Sequence, residues 1–231
     1  MKVYKYISLL GLSFSAMTVS ANKWNGCYAG IHAGTAEVDN RFVTTYFAEE
    51  EYNDDLGSVE GDGEFFGVQA GCRMQFNNNW LIGARISASH GDTHAKHLYI
   101  NGTGPTNFVS YQSDDLITLT GQLGFLISDK SLLYMNLGFG QIEMLIEDTD
   151  PNYQRPIYFQ HKKTQRDLLL GVGYEYRFNR HWSLFAEYNQ IDFGTDRGVV
   201  LNDLSDWEIH DYTADISHDM DYFKLAVNFS F

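Results

Sequence analysis

Three histidines, His90, His94 and His97, fall close enough together to hold a transition metal if their rings converged. No carboxylate is placed beside them to orient the imidazoles, so they are read as a chance cluster in a polar connector. No metal and no other cofactor is expected. Ser89 and His90 are neighbours in the chain, which on a strand turns them to opposite faces and rules out a nucleophile–base pair. Ser87 and His32 share an inward face, but on non-neighbouring strands and without an orienting carboxylate. No catalytic residue is assigned, and a non-enzymatic protein is expected. Cys27 and Cys72 are too few for a disulfide scaffold and form no CxxC motif.

The elements that carry these residues are legible from strict period-two alternation. Phe66, Val68, Ala70, Cys72, Met74 and Phe76 share one face of a segment whose other face is Phe65, Gly67, Gln69, Gly71, Arg73 and Gln75. The pattern recurs over residues 24–34, 80–90, 116–127, 131–146, 167–178, 182–193 and 223–231. Each segment approaches the ~10 residues that a tilted membrane strand requires. Three connectors are short and polar: Asn77-Asn78-Asn79, Ser128-Asp129-Lys130 and Asn179-Arg180-His181. Four are long: 35–63, 91–115, 147–166 and 194–220. Short and long alternate, as periplasmic turns and extracellular loops do in outer-membrane barrels. Pro105, Pro151 and Pro156 all fall in the long connectors.

This predicts an all-β fold, an eight-stranded antiparallel transmembrane β-barrel with short periplasmic turns and four long extracellular loops. A soluble barrel would turn its apolar faces inward. Here the apolar faces end in Phe76, Trp80, Phe178, Trp182 and Phe231 beside the short turns, the pattern of an interfacial aromatic girdle. Ahead of the barrel, Lys2 and Lys5, the apolar run Ile7–Met17 and the small residues before Asn22 have the anatomy of a signal peptide. Two regions follow: residues 1–21, cleaved on export, and a barrel domain over 22–231.

The formal charge of −14 excludes a nucleic-acid partner. Acidic residues gather in the first connector (Glu49, Glu50, Glu51, Asp54, Asp55, Glu60, Asp62). They recur in the fourth (Asp196, Asp203, Asp206, Glu208, Asp211, Asp215, Asp219). The third carries Arg155, His161, Lys162, Lys163 and Arg166. Solvated loops explain this, and the sharper alternative is contact between the third loop and lipopolysaccharide while the acidic loops hold bridging divalent cations. The expected barrel interior holds Arg73, Arg85, Glu175, Arg177, Glu187 and Lys224, with His32, Gln122 and Asn136. Buried charges must pair, and Glu187 with Lys224, on the last two strands, is expected to do so. Cys27 and Cys72 face lipid on neighbouring strands, where a disulfide and two free thiols are both open readings.

The opening Trp24-Asn25-Gly26-Cys27-Tyr28-Ala29-Gly30 resembles the W-x-G-x-Y-x-G start of the small outer-membrane β-barrel superfamily of Gram-negative bacteria. That group includes "porin family" surface antigens and relatives of the opacity adhesins. Trp182–Tyr188 is similar to its penultimate strand, although Cys27 stands where the family more often has an aromatic. The end of the chain, with Tyr222, Phe229 and Phe231, resembles the signal read by the barrel assembly machinery. The resemblance implies an outer-membrane surface protein, monomeric, with outer-membrane lipid and lipopolysaccharide around it. Its expected role is structural, or adhesin-like through a host or other extracellular ligand at the loops. A narrow cation-preferring porin-like channel is the alternative, and a lipid-modifying enzyme a more distant one.

Overall fold

Residues of alternating polarity separated by polar turns fold into one antiparallel sheet that closes on itself. The computed structural model describes residues 24–231 except 48, 77–78, 100–106, 151–156 and 206–210. Within its strands the side chains of 52, 59, 92–97, 99, 107, 114, 150 and 157 are also outside the description. The signal-peptide residues 1–21, the three prolines, Arg155, Asp206 and Glu208 therefore lie outside the described residues, as do the side chains of His94 and His97.

Seven long strands come first: β1 (Gly26–Phe47), β2 (Glu50–Gln75), β3 (Trp80–Tyr99), β4 (Asn107–Ser128), β5 (Ser131–Asp150), β6 (Ile157–Arg177) and β7 (Trp182–Val200). The two-residue β8 (Asn202–Asp203) and the final β9 (Thr213–Ser230) complete the set. Each long strand pairs with the next, β7 pairs with β9, and β9 returns to β1, giving a ring of eight strands with β8 as a short outer extension on β6. Closure leaves no sheet edge at the level of the lipid, where an unpaired edge could not be hydrated.

The strands run well past the expected boundaries at the end away from the short turns. Residues read as long connectors are largely paired ladder: Ala36↔Gly63 and Phe42↔Gly57 join β1 to β2, and Phe108↔Thr149 joins β4 to β5. A strand of 22 residues is about 70 Å long. Tilted by roughly 40° it rises about 50 Å, twice the ~25 Å apolar band of a membrane barrel.

The physical reason is an inversion of polarity at constant geometry. On β9 the even residues face inward throughout and the odd residues outward. Near the turns the outward set is Phe223, Leu225, Val227 and Phe229. Farther out it becomes Asp215, Ser217, Asp219 and Asp221. The inward set changes the opposite way, from Lys224 and Asn228 to Ala214, Ile216 and Met220, all buried. Lipid surrounds the first half of the strand and water the second, so the core turns apolar where the lipid ends.

The interior is filled in layers, as expected for eight strands. At the short-turn end Trp24, Leu81, Leu126, Leu132 and Tyr134 pack together. A polar, charged layer follows. Above it lie Phe65, Leu116, Ile142, Leu169, Ile191 and Met220. Outermost, Phe42, Val109, Ile146, Phe159, Leu201 and Tyr212 form a second apolar layer. Edge-to-face contacts of Tyr212 with Phe42, Phe47 and Phe159 close that end.

Candidate functional site

The polar layer lies within the lipid-spanning segment. Its side chains come from the inward faces of seven of the eight ring strands. Glu187 on β7 and Lys224 on β9 stand directly opposite in register, and Lys224 Nζ lies 3.2 Å from Glu187 Oε1. Arg85 on β3 crosses the barrel to the same carboxylate, Nη2 reaching Oε1 at 2.5 Å and Oε2 at 2.6 Å. The Tyr134 hydroxyl donates to Glu187 Oε2 at 2.8 Å, and Asn189 Nδ2 to Oε1 at 3.0 Å. A second strut runs from Arg73 on β2 to Glu175 on β6, at 2.6 Å. Ser183 Oγ donates to the other Glu175 oxygen at 2.5 Å. Gln122 links this group to Asn136, donating through Nε2 at 3.1 Å. Arg177 lies over the ring of Trp24, 4.1 Å from its centroid. The layer thus brings together five of the six charged residues read from the sequence, with Gln122 and Asn136, while Arg177 sits nearer the short turns on Trp24.

His32 occupies the upper part of the same interior. Its Nε2 lies 2.8 Å from Ser89 Oγ, while Ser87 instead meets Thr118 Oγ1 at 2.5 Å. Sequence reading missed the Ser89 contact because β1 and β3 are not neighbours. The signal was Gly67, which faces inward between them: a Cβ there would come within 2.6 Å of His32 Nε2. The missing side chain lets the imidazole reach across an entire strand. His90 points the other way, outward, and contrary to the sequence expectation a carboxylate does stand beside it: Nδ1 lies 2.8 Å from Asp115 Oδ1, supplied by the paired strand β4 and not by the local chain.

The disulfide joins Cys27 on β1 to Cys72 on β2, directly opposite in register and on the outward face. Phe229 and Phe231 also face outward, whereas Tyr222 is buried inside, its ring 5.9 Å from Lys224 Nζ and against Phe65. The girdle residues Phe76, Trp80, Phe178 and Trp182 are exposed around the short-turn end.

Outside the lipid band the charges sort by strand. Asp39, Asp219 and Asp192 form one outward row across β1, β9 and β7. Partial burial, with the neighbouring Asp192, Asp39 and Asp221 charges, raises the Asp219 carboxyl above its ordinary range. On the opposite surface Lys162 pairs with Glu143 at 3.2 Å and Arg166 Nε donates to Gln141 at 2.6 Å. Between Gln160 and Leu169, β6 has no ladder to β7. Side chains bridge that seam instead: Lys163 meets Asp196 at 2.5 Å, Gln165 donates to the same carboxylate, and His161 Nδ1 donates to the Val200 carbonyl at 2.9 Å. Behind the seam, His218 Nδ1 donates to Asn40 Oδ1 at 2.6 Å. Burial depresses the His218 imidazole to about 4, with Asp196 opposing and Lys163 reinforcing.

Among known proteins, the chain is 26% identical over 184 residues to the 31 kDa outer-membrane immunogenic protein of Brucella melitensis biotype 1, covering 78% of this chain and 75% of that one. Its fold matches the outer membrane protease OmpT of Escherichia coli with a TM-score of 0.58 at 10% identity, over 94% of this chain and 100% of that one. It also matches the outer membrane protein OprG of Pseudomonas aeruginosa with a TM-score of 0.50 at 14% identity, over 90% and 96%. At such identities the two structures share the fold alone. The family model for the outer membrane protein beta-barrel domain covers residues 6–230. The chain therefore belongs to the outer membrane protein beta-barrel domain family and is a protein of the outer membrane.

Proposed function

We propose that this protein is a non-enzymatic surface barrel that acts through its extracellular end, as a structural component or a ligand-binding surface, and does not conduct solutes. The observation that carries this reading is the filled interior. Two cross-barrel ion pairs sit between apolar layers, and the aromatic group around Tyr212 closes the outer end. The buried Ser89–His32 contact lacks the third member of a nucleophile–base set: among the described residues no carboxylate is hydrogen-bonded to His32 to orient its ring. The Brucella relative is an outer-membrane immunogenic protein, which agrees with a surface role. What the protein offers to the outside is a barrel extension with charged outer walls.

The test is to replace the four outer hairpin tips with short turns and compare the two proteins in lipid vesicles. The barrel should still fold, vesicle permeability to small solutes should stay at background in both, and binding by antibodies against whole cells should be lost with the tips. Solute uptake by vesicles carrying the unmodified protein would overturn the reading.

A further inference from the structure

Inside the spanning segment the described residues set four cations, Arg73, Arg85, Arg177 and Lys224, against two carboxylates, Glu175 and Glu187. Arg177 sits at the periplasmic end on the face of Trp24, and Arg73 is matched one-to-one with Glu175. Glu187 is shared. Arg85 Nη2 and Lys224 Nζ approach the same oxygen, Oε1, at 2.5 and 3.2 Å. One positive charge is thus left over where Arg85 is 2% and Lys224 1% exposed. An uncompensated buried charge costs several kcal/mol, and a guanidinium cannot shed its proton.

The hydrogen-bond inventory points the same way independently of charge. Arg85 spends only Nη2 on Glu187, and its buried Nε and Nη1 have no acceptor. Asn136 Nδ2 and Asn228 Nδ2 are further donors without acceptors, set against the unpaired acceptors Gln69 Oε1 and Asn189 Oδ1, so that the two Arg85 nitrogens remain as the net surplus of donors. Surplus donors around a surplus positive charge are the chemistry that recognises an anion. The ring of Phe185 flanks both cations, 5.2 Å from Arg85 Cζ and 5.7 Å from Lys224 Nζ, and supplies an apolar wall. Apolar layers lie on both sides of this group along the axis. A single surplus charge between apolar layers matches a monatomic monovalent ion. A divalent oxyanion would overshoot the charge and would have to lose a much larger hydration shell.

We propose that the barrel interior binds one small anion of the halide class, held by the free N–H groups of Arg85 and the ammonium of Lys224. Bromide is the probe. Crystals of the refolded mature chain grown in sodium bromide should give an anomalous peak about 3.3 Å from an Arg85 nitrogen. That peak should disappear in Lys224→Met. A second measurement needs no variant: at constant ionic strength, replacing chloride by gluconate should lower the unfolding midpoint of the wild-type barrel. A bromide-free interior, peaks on the outer surface only, or a midpoint indifferent to the anion would overturn the proposal and mean that Lys224 is carried neutral.

Discussion

Arg85 and Glu187 stand on strands four places apart in a ring of eight, and they meet across the full diameter of the barrel at 2.5 Å. Arg73 and Glu175 repeat the arrangement one strand earlier, from β2 to β6, at 2.6 Å. Struts of this kind tie opposite walls together and occupy the space through which an ion would have to pass.

Removing one end of a strut leaves a buried charge alone. Glu187→Gln strands both Arg85 and Lys224 and should cost roughly 3–5 kcal/mol. Urea unfolding in lipid vesicles measures it, and a change below about 1 kcal/mol would mean that the carboxylate is not holding the two cations.

Gly67 is required by a neighbour on another strand. In Gly67→Val the new side chain would collide with the Ala88 carbonyl and with His32, whose contact with Ser89 would be lost. Overpacking of this kind should destabilise the barrel by about 1–3 kcal/mol, read from the temperature at which the folded band disappears on a gel.

His218 makes stability depend on pH. Its folded value of about 4 lies below the 6.5 of the free imidazole, so the folded state favours the neutral ring. Its contribution is complete above pH 6.5 and is lost as the pH falls toward 4. The full effect is roughly 3 kcal/mol. His218→Gln should flatten the stability curve between pH 6.5 and 4, and an unchanged slope would place the responsible group elsewhere.

Asp219, one residue along and on the outer wall, acts with the opposite sign. A carboxyl raised in the folded state weakens folding at neutral pH, and the loss is recovered as the pH falls through its folded value. Because this carboxyl is largely open to water, screening leaves little of the repulsion, and Asp219→Asn should stabilise the barrel at pH 7 by about 0.5 kcal/mol at most, more at low salt. Destabilisation would contradict like-charge repulsion across the Asp39–Asp219–Asp192 row.

The disulfide closes a loop of 45 residues between Cys27 and Cys72. Chain-entropy arguments give such a closure at most about 4 kcal/mol. Reduction should lower the urea midpoint, and a non-reducing digest should contain the linked peptides.

The sequence was most legible where lipid meets the wall. Ile31, Phe66, Leu137 and Phe223 face outward in register with their expected strands because one alternation rule applies there. It was less legible beyond the lipid, where Ala214, Ile216 and Met220 keep the same geometry under inverted polarity, so a membrane template ends at Phe223 while the strand continues to Thr213. The inner charges could be placed on the correct face, and Glu187 and Lys224 could be set opposite one another from strand order alone. The reach of Arg85 to Glu187 could not, because contacts across a barrel depend on stagger and tilt, and neither is written in local periodicity.

Planar-bilayer recording of the refolded barrel, after a heat-dependent gel shift has confirmed folding, tests the closed interior most directly. The filled interior predicts a silent bilayer at all voltages that the membrane tolerates. Reproducible single-channel steps that change in Lys224→Ala would contradict it and make the charged layer a conducting path.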